Sequence, residues 1–142
     1  MSGPTKAERR QTAILYLCVG VGCLIGSVAR YLMSLALQMI PGLPWGTLFV
    51  NVTGSFIIGF YATLSGPDGR LFASARQRQF VMTGICGGYT TFSSFSLETF
   101  RLLHAGDRKS ALIYIIVSVV GWLLAVWLGH VGASRLNRLK GS

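Results

Sequence analysis

The chain has 142 residues, 51% hydrophobic and only 12% charged, with 13 Lys and Arg against 4 Asp and Glu for a formal charge of +9. So little charge excludes a disordered tail, a collagen-like fibre and an ordinary water-soluble enzyme, and the length allows a single domain over residues 1–142. Apart from Arg30, the basic residues lie at the ends of apolar runs or between them, as in a membrane protein rather than a nucleic-acid binder.

Stretches of roughly 20 apolar residues suffice to cross about 30 Å of hydrocarbon. Four are present, at about 13–39, 46–64, 79–103 and 111–131. The expected fold is therefore an all-α membrane protein with four transmembrane helices. The first run is too long for a signal-peptide core and is expected to be a retained span. In it Gly22 and Gly26 form a GxxxG step that continues at the same spacing to Arg30 and Ser34. Small residues of this kind let helices approach closely in lipid. The second run places Thr47, Asn51, Ser55 and Gly59 at successive i+4 positions, on one helix face.

The third run is the most unusual. Between Gly84 and Ser96 the sequence reads G-I-C-G-G-Y-T-T-F-S-S-F-S, rich in Gly, Ser and Thr. Glycine costs about 1 kcal/mol relative to alanine in a helix, and β-branched threonines lower propensity further. A break is expected near 87–91, at mid-membrane, where free backbone groups survive only if buried in protein or lining a cavity. Phe92 and Phe95 follow, three apart and expected on one face, with Ser93, Ser94 and Ser96 beside them. Ring edges carry partial positive charge. Together with these hydroxyls and the Asn51 amide they suit a small dehydrated anion. Glu98, nearer the end of the run, reads as a buried partner for a polar or basic group. The fourth run carries the stripe Ser110, Tyr114 and Ser118 and a separate ridge of Gly121, Ala125 and Gly129. Hydroxyls at that depth are expected to line a polar path, and the ridge to pack helices.

Cys18, Cys23 and Cys86 all fall inside apolar runs without metal-ligand spacing, and His104 and His130 lie at run ends without a triad partner. Neither set points to enzymatic chemistry. Trp45 and Trp127, near run ends, fit an interfacial belt or buried packing. Four spans put both termini on one side. Lys6, Arg9, Arg10, Arg70, Arg76, Arg78, Arg135, Arg138 and Lys140 fall on that side against Arg101, Arg108 and Lys109 on the other, which favours cytoplasmic termini.

Three strings carry a family resemblance: G-x-x-x-G-x-x-x-R-Y at 22–31, G-T-L-x-V-N-x-x-G-S-F-x-x-G at 46–59, and G-x-x-G-G-x-T-T-F-S-S-F-S-x-E at 84–98. In these and in its four-span layout the chain resembles the bacterial Fluc/CrcB fluoride channels. The resemblance implies a multi-pass protein of the bacterial inner membrane that exports F− from the cytoplasm and relieves fluoride toxicity. It also implies an antiparallel, dual-topology homodimer with two pores and a structural, untransported Na+ at its centre. By the same likeness the carbonyls of Gly87 and Thr90 hold the sodium. Asn51, Phe92, Phe95, Ser93, Ser94, Tyr114 and Ser118 line the fluoride path, and Arg30 stands toward the pore entrance or serves structurally. Symmetry agrees, since a two-fold axis joining both breaks would double their carbonyls into an oxygen-only site for a hard monovalent cation. The charge asymmetry points instead to one orientation. A small proton-coupled multidrug or guanidinium exporter is the competing class. It needs an intramembrane carboxylate, where the first run has Arg30.

Overall fold

The computed structural model describes residues 3, 5–67 and 69–138, so Lys140 of the charge comparison lies outside the described residues. Every regular element among these residues is helical. α1 spans Lys6–Leu37 and α2 spans Trp45–Leu64. A short α3, Ala75–Gln79, runs into a seven-residue π-helical stretch, Phe80–Cys86, and then into α4, Gly87–Tyr89. α5 covers Phe92–His104 and α6 covers Arg108–Arg138.

α1, α2 and α6 are each long and apolar enough to cross a membrane. At 1.5 Å per residue α1 and α6 reach about 46–48 Å, well beyond about 30 Å of hydrocarbon. α6 outruns its expected apolar run at both ends and α1 does so at its N-terminal end, because polar flanks in water continue the helix, while α1 stops at Leu37, short of the expected 39. Thr5 starts α1 with a capping box, its backbone N–H donating to Glu8 Oε2 at 2.6 Å. Asp107 Oδ1 accepts from Ser110 N at 3.0 Å at the start of α6.

The third run is divided. Gly87 is helical, at φ −65° and ψ −36°, but Thr90 (φ −85°, ψ 159°) and Thr91 (φ −152°, ψ 121°) are extended. The departure from helix is thus narrower than 87–91 and falls on the threonines, not the glycines. The glycines serve close packing instead. A Cβ on Gly22 would stand 2.7 Å from the Phe80 carbonyl oxygen, one on Gly26 would collide with the Ile85 carbonyl, and one on Gly88 with the Cys23 carbonyl. α1 and the π/α4 segment therefore touch backbone to backbone. α2 and α6 do the same, since Gly59 abuts the Val126 carbonyl and Gly129 the Phe56 carbonyl.

Candidate functional site

The two extended residues are held from both sides. Asn51, 4% exposed, donates from Nδ2 to the Thr91 carbonyl at 2.8 Å and accepts from Thr91 N at 2.7 Å through Oδ1. One side chain from α2 thereby supplies the bonds a continuous helix would have given Thr91. The second Nδ2 hydrogen has no protein acceptor among the described residues. On the opposite side Arg30 Nη1 approaches the Thr90 carbonyl at 3.4 Å, and Ser27 Oγ the Gly88 carbonyl at 3.4 Å. Both are long and weak bonds. Thr90 bonds back to the Cys86 carbonyl through N and Oγ1, each at 2.9 Å.

Thr91 also starts α5. Its Oγ1 accepts from Ser94 N at 3.1 Å, donates to Ser94 Oγ at 3.1 Å and lies 3.2 Å from Ser93 Oγ. A threonine three residues ahead of serine at the start of an apolar run is a legible N-cap signal. Thr91 falls within the expected break, but its part as the cap of α5 is not among the expectations from sequence.

Phe92 and Phe95 touch, with ring centroids 5.6 Å apart, yet do not share an environment: Phe92 is 70% exposed and Phe95 is 7% exposed. Phe95 is enclosed by the Tyr114 ring at 5.3 Å and by Trp122, edge-on at 4.9 Å. The stripe on α2 is likewise divided in its uses. Thr47 Oγ1 donates to Glu98 Oε1 at 2.7 Å, and Tyr114 OH donates to Glu98 Oε2 at 2.7 Å, so Glu98 has the polar partners expected of it. Asn51 clamps Thr91, Ser55 lines a cleft and Gly59 packs against α6.

Two cavities flank this cluster. One is an open cleft of about 260 Å³ bordered by Asn51, Ser55, Gly87, Thr90, Thr91, Phe92 and Trp122. The other, about 480 Å³, is bordered by Tyr31, Ser34, Thr47, Glu98 and Arg101. Arg30 borders neither. Beside them, α6 carries a buried stripe. Tyr114 and Ser118 are fully buried, and Ser118 Oγ and Trp122 Nε1 have no hydrogen-bond partner among the described residues. From Tyr114 to Trp122 is two helical turns, about 12 Å. Aromatic ring edges and unpaired donors of this kind present positive partial charge to a small anion in place of water.

The chain was compared with known proteins. The family model described as CrcB-like protein, Camphor Resistance (CrcB), matches residues 17–130. A fluoride-specific ion channel FluC 1 of Bradyrhizobium diazoefficiens is 61% identical over 142 residues, covering all of both chains. A protein of the same name from Rhodopseudomonas palustris is 64% identical over 137 residues, 95% of this chain and 97% of its own. The fluoride-specific ion channel FluC of Opitutus terrae is 54% identical over 130 residues, 90% of this chain and 98% of its own.

Proposed function

The chain belongs to the CrcB-like family, and from that membership we propose that it is a fluoride-selective channel through which F− leaves the cytoplasm, relieving fluoride toxicity. It is a multi-pass bacterial membrane protein and not an enzyme. The observation that carries the reading is the 61% identity, over every residue of both chains, to a relative named as a fluoride-specific channel.

The site supports a route. The anion enters the cleft at Asn51, whose spare amide hydrogen replaces water, and meets Ser93, Ser94 and the edges of Phe92 and Phe95. It then reaches the orphan hydroxyl of Ser118 and the hydroxyl of Tyr114. Because Tyr114 and Thr47 donate to Glu98, an anion arriving there competes with a carboxylate for those hydroxyls. Arg30 acts structurally in this reading, bracing the Thr90 carbonyl.

The assembly we propose is an antiparallel, dual-topology homodimer of four-span subunits, the third span interrupted at mid-membrane. The open cleft is lined mainly by apolar groups but also by Asn51, Ser55, Thr90 and Thr91, and polar groups left facing hydrocarbon are costly. A second copy would cover it. The central sodium would be held by the carbonyls of Gly87 and Thr90; the Gly87 carbonyl suits a cation, whereas the Thr90 carbonyl would have to be shared with the Arg30 guanidinium that approaches it at 3.4 Å. In a continuous helix Thr91 N–H would bond the Gly87 carbonyl, but here it donates to Asn51 Oδ1. A carbonyl relieved of its helical donor in the last turn before the helical stretch ends at Tyr89 favours a cation.

The reading is tested in a bacterium deprived of its own fluoride efflux. Expression of this chain should restore growth in fluoride, and the Phe95→Ile variant should not. Membrane-inserted wild-type protein that gives no rescue would contradict the reading.

A further inference from the structure

Trp122 combines two properties that ordinary packing does not explain. Its ring borders the open cleft beside Asn51 and Phe92. Its Nε1, however, is shielded from water and has no partner among the described residues. A buried indole N–H usually finds an acceptor, because leaving it unpaired forfeits its hydration without replacement. Trp122 also sits one turn beyond Ser118, whose fully buried hydroxyl is orphaned in the same way. Residues four apart on a helix share a face. Tyr114, Ser118 and Trp122 therefore form a ladder of donors down α6, with the Trp122 ring edge-on to Phe95 at 4.9 Å.

We infer that the indole N–H of Trp122 is an anion-binding donor, receiving a dehydrated fluoride at the inner border of the cleft and delivering it to the buried Ser118 hydroxyl. The inference rests on the channel reading above. Its chemistry also bears on selectivity. A serine hydroxyl can turn its lone pairs to a cation, whereas an indole N–H donates and cannot accept. The Trp122 N–H at this step therefore offers an anion a donor and a cation no lone pair.

The test uses the full chain with its tryptophans labelled by nitrogen-15, reconstituted in lipid and titrated with potassium fluoride or potassium chloride. The Trp122 indole signal is assigned by its loss in Trp122→Phe, or by elimination with Trp45→Phe and Trp127→Phe if that variant fails to fold. The Trp122 signal should move with fluoride and stay still with chloride. In liposomes Trp122→Phe should lose about tenfold in fluoride efflux, the scale of one hydrogen bond to a charged group. Trp122→Gln, which returns an N–H donor, should recover part of that loss. An indole signal indifferent to fluoride while the wild type conducts fluoride would overturn the inference and leave the channel reading standing. Wild-type efflux in a folded Trp122→Phe variant would also overturn it. A fluoride-sensitive indole in a protein that conducts no fluoride would uphold the donor and overturn the channel reading.

Discussion

At the scale of single residues, Asn51 matters through two hydrogen bonds rather than through exposure. Asn51→Ala should cost about 2–4 kcal/mol of stability, because the N–H and carbonyl of Thr91 are both left buried without partners, and fluoride flux should fall with it. Thr47→Ala removes one of two donors to Glu98 and should cost about 1 kcal/mol, with a smaller effect on flux. Thermal unfolding in detergent and liposome efflux measure both, and equal effects of the two changes would refute the ranking. The phenylalanines are expected to separate differently. Phe92→Ile and Phe95→Ile should each reduce flux by about tenfold, as loss of about 1.4 kcal/mol of ring-edge attraction implies. Only Phe95→Ile should also destabilise, because Phe95 is 7% exposed and Phe92 is 70% exposed. Near-normal flux in both would reduce the rings to packing. The residue types of the site were legible in the sequence, since Asn, Ser, Thr and Phe at mid-span are conspicuous where polar groups are costly. Their partners were not. That Asn51 would clamp Thr91, 40 residues away, and that Trp122 would sit beside Phe95 are products of tertiary packing, which no local pattern encodes.

At the scale of elements, apolar length and small-residue spacing foretold α1, α2 and α6, along with the ridges on which they pack. The ends were foretold poorly, because hydropathy reports the hydrocarbon and not the helix, which continues through polar caps such as Thr5 and Asp107. The third run was foreseen as interrupted, but propensity assigned the interruption to glycine as well as threonine. Gly84 and Gly88 stay in helical segments because α1 lies against them, an example of packing overriding intrinsic preference. This gives a matched pair of tests on α1. Gly26→Val should destabilise by about 1–3 kcal/mol or more, since its Cβ meets backbone that cannot rotate away. Gly20→Val, whose Cβ meets nothing within 4 Å, should stay within about 0.5 kcal/mol. Similar melting temperatures for the two variants would refute the close approach of α1 to the π segment.

At the scale of the whole molecule, one chain leaves its cleft open and Gly87 facing empty space, with nothing within 4 Å of an added Cβ. Because Gly87 is helical, Gly87→Val should leave the single chain's backbone undisturbed, contrary to what a strained glycine in the break would predict. In the proposed dimer the same change should weaken association and sodium binding, whereas Thr90→Ser, which keeps the carbonyl, should leave both intact. Replacing sodium by a large organic cation should lower dimer stability and flux together, and radioactive sodium should not cross with fluoride. A dimer and a flux both unchanged after thorough sodium removal would remove the structural ion from the account. The excess of basic residues on one face remains at odds with dual topology, and labelling of engineered cysteines from each side of the membrane should find both orientations. The central claim, selective conduction of fluoride, is tested most directly by ion-selective electrodes reading fluoride and chloride together as liposomes containing the purified chain discharge both. Rapid fluoride release with chloride retained is the predicted result. Equal release of the two anions, or retention of both alongside proton-coupled cation uptake, would contradict it.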